Sequence, residues 1–112
     1  MIPPRHDGVL LEVNDMVVGT MRVVLFLPEN GSLKDKRHVV KSLLARVQHQ
    51  FKVAAAEVEE NDNLEAAVLG IVCVSNSVPH ANEILSHAVN FIEGNVLQGG
   101  LEDYQIEIVH VF

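Results

Sequence analysis

Aromatic residues and cysteine are scarce in this sequence. Its 112 residues include no tryptophan, one tyrosine, four phenylalanines and one cysteine. The core must therefore be built from valine, leucine, isoleucine and alanine. Cys73 lies in the apolar run LGIVCVSN and has no second cysteine to pair with. An internal disulfide is excluded, and a reducing, cytoplasmic setting is expected.

Basic residues are also in the minority. Eight Lys and Arg residues against fifteen Asp and Glu residues give a net charge of −7. This balance argues against general affinity for nucleic acid or anionic membranes. No apolar stretch approaches the length that a membrane span needs. The N-terminus, with Pro3 and Pro4, lacks the hydrophobic region of a signal peptide.

The chain length allows one small domain whose core needs no metal or disulfide. We predict that residues 1–15 form a weakly ordered N-terminal extension, because Pro3, Pro4 and Gly8 interrupt regular structure there. Residues 9–13 are apolar enough to form a short edge strand. The single domain is predicted to span residues 16–112.

Hydrophobic patterns predict the fold of this domain. Residues 17–27 and 64–76 are apolar on both alternating faces, which is typical of central strands. Residues 51–59 and 104–112 carry charges, which is typical of edge strands. Amphipathic helices are predicted from Ser32 to Phe51 and from about Pro79 to a stop at Gly94. This order predicts an α+β, ferredoxin-like βαββαβ fold, with a four-stranded antiparallel sheet and two helices on one face.

Two helices can cover only one face of such a sheet. The second face of the central strands is apolar as well, and the domain has nothing left to bury it. We therefore expect a homo-oligomer that associates through its sheet, by the open face or by an edge strand.

The first helix concentrates the positive charge of the chain. Six of the eight basic residues lie between Lys34 and Lys52, against one acid, Asp35, so this segment carries +5 and the remainder −12. Ser32 is placed to cap the helix, with Asp35 three residues later. The apolar stripe of the helix is assigned to the core and consists of Val40, Leu43, Leu44, Val47 and Phe51.

Several blocks of the domain resemble the YlxP-like family, bacterial proteins of unknown function. The blocks are Leu27-Pro28, the stretch SLKDKR from Ser32, VVKSLL from Val39, Ala56-Glu57-Val58, Leu69-Gly70 and Val74-Ser75-Asn76. The resemblance covers residues 16–112. It implies a small ferredoxin-like protein, often encoded beside translation and ribosome-maturation factors. Where such proteins often carry a Trp and an Arg, this chain has Leu64 and Ala66.

The first helix is also the candidate binding site. Its N-terminus offers free N–H groups and the positive end of the helix dipole, both suited to phosphate. The candidate residues for binding an anion or RNA are Ser32, Lys34, Lys36, Arg37 and Lys41. The alternative is a solvated helix face whose cations balance acids elsewhere in the chain or on a partner subunit.

Other kinds of site have weaker support. An acylphosphatase would need a glycine-rich phosphate cradle, and residues 28–32 lack that pattern. His80, Glu83 and His87 share a helix flank, but three spaced groups of this kind indicate a solvated face rather than a metal site. We predict no catalytic residue, metal or cofactor. The expected function is non-enzymatic contact with a partner, with the ribosome or RNA as candidates. The alternative is an oligomeric regulatory module that binds a small anionic ligand at a subunit interface.

Overall fold

The structure, a computed structural model, describes residues 15–28, 31–96 and 99–112. The elements follow one another in the predicted order: β1 (Val17–Phe26), α1 (Leu33–Phe51), β2 (Ala54–Glu59), β3 (Ala66–Ser75), α2 (Val78–Asn95) and β4 (Gly100–His110). The candidate edge strand at residues 9–13 lies outside the described residues. Of the expected extension, only Asp15 is described, and its side chain is exposed.

The strands form one four-stranded sheet with the order β2-β3-β1-β4. Each neighbouring pair is antiparallel. The doubly apolar strands β1 and β3 are therefore central, and the charged strands β2 and β4 are the edges. This confirms the predicted ferredoxin-like arrangement.

The core lies between one face of this sheet and the two helices. Alternate residues of β1 point into it because side chains of a strand alternate between faces. The same alternation applies to β3, and the apolar stripes of α1 and α2 close the core from the other side. The principal core residues are Val17, Met21, Val23, Leu25, Leu69, Ile71, Val40, Leu43, Val47, Ala81, Leu85, Ala88 and Ile92.

Several predicted boundaries were wrong. The last strand was predicted at residues 104–112, but β4 spans Gly100–His110. The predicted helix end at Phe51 is confirmed, but the following strand, also predicted from Phe51, begins only at Ala54. Lys52 adopts the left-handed conformation there, and its N–H donates to the Gln48 carbonyl at 3.0 Å. Gly94 was expected to stop α2, yet the helix continues to Asn95. Packing of neighbouring Ile92 in the core outweighs the low helix propensity of one exposed glycine.

The face of the sheet away from the helices is not covered by any element within the described ranges. We call it the open sheet face, formed by Thr20, Arg22 and Val24 of β1, by Val72 and Val74 of β3, and by the neighbouring residues of β2 and β4. Val72 and Val74 are exposed there, as are Val58 and Val109. The apolar character predicted for the second face of the central strands is thus present at these valines, while Thr20 and Arg22 make the face polar in part.

Candidate functional site

Ser32 fixes the start of α1. Its backbone is extended, and its hydroxyl accepts a hydrogen bond from the Asp35 N–H at 3.1 Å. Its carbonyl accepts the N–H of Lys36 at 3.0 Å. A serine in this geometry satisfies one of the N–H groups that a helix leaves free at its first turn. The predicted cap is therefore present, and it orients the first turn that carries the cations.

Lys36 does not belong to the exposed site that the sequence predicts. Its side chain is 0% exposed, and its ammonium lies 2.8 Å from Oε2 of Glu57 and donates to the Glu60 carbonyl at 2.5 Å. The Lys36 ammonium is the partner of the Glu57 Oε2 atom, which accepts no other hydrogen bond from the described residues. A charge held in this way is unavailable to a ligand, so the assignment of Lys36 as a binding residue is corrected.

Three of the predicted cations remain on one exposed flank of α1. Lys34, Arg37 and Lys41 follow one another at helical spacing, and all three side chains are exposed. We call these residues the basic surface. It lies next to the Ser32 cap, so the exposed cations and the positive end of the helix dipole are on the same part of the molecule.

Arg37 has one acidic neighbour from another element. Its Nη2 lies 3.6 Å from Oδ1 of Asp62, in the turn between β2 and β3, and the two side chains are 58% and 91% exposed. An ion pair this exposed is screened by water and holds both side chains only weakly. Arg37 can therefore exchange Asp62 for an external anion at little cost.

A second polar feature lies at the centre of the open sheet face. A shallow cavity of about 630 Å³ is floored by β1, β3 and β4. Arg22 lines this cavity. Its Nε and Nη2 donate to Oε1 of Glu59 at 2.8 and 2.6 Å. Gly70, beside Arg22 in the register of β1 and β3, contributes no side chain to the floor.

Arg22 is not among the site residues predicted from the sequence. The signal was available, because residues 17, 19, 21, 23 and 25 of β1 are all apolar while position 22 falls on the other alternating face. The carboxylate that binds it, from Glu59, is 37 residues away along the chain, and pairing of β2 with β3 brings it near. Strand pairing at this distance is not visible in the residue pattern of either strand alone.

Cys73 packs as the core residue that the sequence predicts. It is buried, and its thiol lies 3.8 Å from the Ala81 carbonyl. Burial raises the pKa of this thiol, and a hydrogen bond from the Gly19 backbone lowers it in part. Reactive cysteines have the opposite environment, exposed and electropositive, so Cys73 is not a candidate nucleophile.

The histidines of α2 form no metal centre. Nδ1 of His80 lies 3.6 Å from Oε1 of Glu83, and both side chains are more than half exposed. The part of the chain that the structure describes holds no group of three metal-ligating side chains. In the same part of the chain, neither helix is long and apolar enough to cross a membrane.

A family profile matches most of this fold. Residues 18–106 match the family described as "Protein of unknown function (DUF503)". The chain belongs to the DUF503 family. The match runs from the first residues of β1 to the middle of β4, so it includes α1 and the basic surface. The predicted resemblance to the YlxP-like family is confirmed by a curated relative, "Uncharacterized protein YlxP" of Bacillus subtilis (strain 168). The two are 32% identical over 77 residues, which cover 69% of this chain and 84% of the relative.

Two solved structures that are similar to this DUF503 protein are de novo designs. "De novo designed protein Foldit4" has a TM-score of 0.50 at 13% identity, covering 87% of this chain and 99% of that one. The de novo designed protein LFR1, with a ferredoxin fold, has a TM-score of 0.44 at 13% identity, covering 86% and 85% of the two chains. Foldit4 supports the fold and carries no information about function.

Proposed function

We propose that this DUF503 protein is a non-enzymatic binding protein whose basic surface contacts RNA, with ribosomal RNA as the candidate partner. The observation that carries the proposal is the position of the cations on α1. Lys34 and Arg37 lie in the first turns of the helix, near the positive end of its dipole, where cations are unfavourable and anions are stabilising. Asp35 is the one acid of the first turn.

An external phosphate would relieve this repulsion. Lys34, Arg37 and Lys41 lie on one flank, so phosphates of a single strand can contact them together. Arg37 supplies a planar donor group for an oxygen pair once it leaves Asp62. The chain outside residues 34–52 carries a net charge of −12, which repels RNA elsewhere and restricts contact to this surface. Cys73, unpaired and buried, supports the cytoplasmic location that such a partner requires.

The test is RNA binding at two salt concentrations. Fluorescence anisotropy with a labelled single-stranded RNA, and co-sedimentation with ribosomes, should both show binding that weakens as salt increases. The triple variant Lys34→Ala, Arg37→Ala and Lys41→Ala should lose this binding. The matched control exchanges Lys for Arg and Arg for Lys at the same three positions, which keeps the charge and should keep most of the affinity.

The salt dependence gives a second readout. Three phosphate contacts to a single strand contribute a slope of about −2 to a plot of log affinity against log salt. The alanine triple variant should lose a slope of about this size. Equal affinity and equal slope in the wild type and the alanine variant would refute the proposed role of the basic surface.

The second candidate function is an oligomeric regulatory module that associates through its sheet and binds a small anionic ligand beside the subunit interface. Arg22 favours this candidate, because it lies in a cavity on the open sheet face. Inorganic phosphate and a nucleoside monophosphate are suitable probes. A rise in melting temperature with either probe, lost in Arg22→Gln and seen without RNA binding, would favour this function. Self-association itself is tested by a light-scattering mass, and the mass of a single chain would exclude it.

A further inference from the structure

The two edges of the sheet differ in how they are protected from other strands. β2 has six residues, its pairing with β3 shifts between Glu57 and Glu59, and Glu60 follows with a positive φ. Short length and a bulge are features that keep an edge from pairing. β4 has eleven residues, and from Asp103 to His110 it pairs with β1 without a shift. Within the described residues, no strand lies on its outer side.

The outer side of β4 presents a regular row of backbone groups. Directly beyond the paired ends of β1 and β4, the Val111 N–H donates to the Met16 carbonyl at 2.8 Å. This bond indicates that the odd-numbered residues of β4 form the hydrogen-bonded pairs with β1. Hydrogen bonding alternates along an antiparallel strand. The N–H and carbonyl groups of Tyr104, Ile106 and Ile108 therefore point away from β1. The Tyr104 N–H donates to Oδ1 of Asp103 at 2.8 Å, an exposed local hydrogen bond that a pairing strand would replace. The other groups are placed to bind another strand.

The side chains of the same residues form an incompletely covered apolar stripe. Ile106 and Ile108 pack against the core from its margin. Tyr104, opposite Val23 in the register, is 46% exposed. A long, regular edge strand with exposed apolar side chains is unusual in a protein that stays monomeric.

We propose that β4 pairs with β4 of a second copy of this chain, antiparallel and about a two-fold axis at Ile106, to form a continuous eight-stranded sheet. This inference rests on the self-association proposed above and is independent of the basic surface. In this register Ile106 pairs with itself, and Tyr104 lies opposite Ile108 of the second copy. Both contacts add apolar cross-strand pairs on the helix side of the sheet.

Repulsion between carboxylates disfavours the two adjacent registers, with the axis at Gln105 or at Glu107. On the open sheet face, an axis at Gln105 would set Asp103 opposite Glu107 of the second copy, twice. An axis at Glu107 would place the Glu107 carboxylates of the two copies directly opposite each other. Directly opposed like charges are destabilising. The axis at Ile106 instead places Gln105 opposite Glu107, so no two acids of these positions meet.

Charge also favours the edge over the open sheet face as the place of contact. Stacking two copies face to face would bring together the carboxylates of Glu59, Asp103 and Glu107. The one cation among these side chains, Arg22, is already bound by Glu59 of its own chain. Pairing of the β4 edges leaves the face open and puts the two Arg22 cavities side by side across the axis.

The test measures dimer dissociation of the full chain by sedimentation velocity. Gln105→Glu should raise the dissociation constant roughly 3- to 10-fold, because it creates two opposed acid pairs across the axis. Gln105 neighbours Arg22 in the register of β1 and β4, so the same change should not reduce the stability of the subunit. The double variant Gln105→Glu with Glu107→Lys restores opposite charges and should recover the dimer. Asn90→Glu, the same charge change on the exposed side of α2, is the matched control and should leave the dissociation constant unchanged.

Each outcome decides the proposal. A dimer unaffected by Gln105→Glu would place self-association elsewhere and overturn the β4 assignment alone. The mass of one chain at high micromolar concentration would overturn self-association as well. A full chain that is monomeric but dimerises after removal of residues 1–14 would assign the β4 edge to that segment. None of these results depends on RNA binding, which the variants of the basic surface test separately.

Discussion

The Lys36 ammonium and the Glu57 carboxylate form an ion pair at 2.8 Å between α1 and edge strand β2. Lys36 is the one charged side chain that is fully buried in the described part of the chain, and Glu57 is 12% exposed. The lysine also donates to the Glu60 carbonyl, at the point where β2 turns into the hairpin. One side chain therefore ties the first half of α1 to the end of β2.

Removing the lysine should destabilise the protein strongly. Lys36→Met leaves the Glu57 carboxylate without its cation, and breaking a buried pair in this way costs about 3–5 kcal/mol. Small domains have about 5–15 kcal/mol of stability in total, so the variant should approach the unfolding threshold. Urea unfolding followed by circular dichroism measures the loss.

A double variant separates the pair from the packing of its carbon atoms. Lys36→Met with Glu57→Leu removes both charges and should regain most of the stability, because apolar groups of similar volume replace buried ion pairs well. Lys34→Met is the exposed control, with an expected change within about 0.5 kcal/mol. Equal losses in Lys36→Met and in the double variant would contradict the role of the ion pair.

The burial of Lys36 could have been predicted from helical spacing. Position 36 lies four residues before Val40 and therefore continues the buried stripe that runs through Leu43 and Val47. Its charge led to its assignment with Lys34 and Arg37 on the surface. The partner was beyond prediction, because Glu57 meets Lys36 only once β2 has folded against α1.

The fold was predictable because its signals are local or periodic. The apolar alternation of β1 and β3, the stripes of the helices and the Ser32 cap each indicate one element, and their order then defines the topology. The features that were missed depend on contacts between distant segments. Arg22 meets Glu59 across two strand pairings, and Lys36 meets Glu57 only once α1 and β2 pack together.

The Ser32 cap should contribute to stability whether or not a ligand binds nearby. Ser32→Ala removes the acceptor of the Asp35 N–H, and losing such a cap costs about 1 kcal/mol. Ser77 caps α2 in the same way, accepting the His80 N–H at 3.3 Å, and is the matched position. We expect similar losses in unfolding free energy for Ser32→Ala and Ser77→Ala. A loss confined to Ser77→Ala would show that Ser32 does not hold the start of α1.

Two glycine-to-alanine changes should have effects of opposite sign. At Gly19, a Cβ would lie 3.0 Å from the Cys73 sulfur and 3.0 Å from Cδ1 of Leu85, where β1 packs on α2. The overpacking should cost about 1–3 kcal/mol. At Gly94, near the end of α2, a Cβ meets nothing within 4 Å, so alanine should stabilise the helix by up to about 1 kcal/mol.

Melting temperatures of the two alanine variants check this prediction. The combination Gly19→Ala with Cys73→Ala removes the sulfur from the crowded site and should recover part of the loss. If Gly19→Ala were as stable as the wild type, β1 and α2 would have to be further apart than the contacts of Gly19 indicate.

The buried thiol of Cys73 should make stability depend on pH in the alkaline range. Burial raises the pKa of this thiol in the folded protein above that of the unfolded chain. The folded protein therefore keeps its proton at a pH where the unfolded chain has lost it. The unfolded chain binds fewer protons in this range, so stability falls as the pH rises above the thiol pKa of the unfolded chain, about 8.5. Below that pH, both states are protonated and this contribution is constant.

The comparison with Cys73→Ala isolates this contribution, because the two proteins differ only in the side chain at position 73. The difference in unfolding free energy between wild type and variant should be constant from neutral pH to about pH 8. Above that, the wild type should lose its advantage at a slope of at most about 1.4 kcal/mol per pH unit. Urea unfolding at a series of pH values measures the slope. A difference that stays constant into the alkaline range would mean that the thiol ionises as readily in the folded protein as in the unfolded chain, contrary to its burial between β1 and α2.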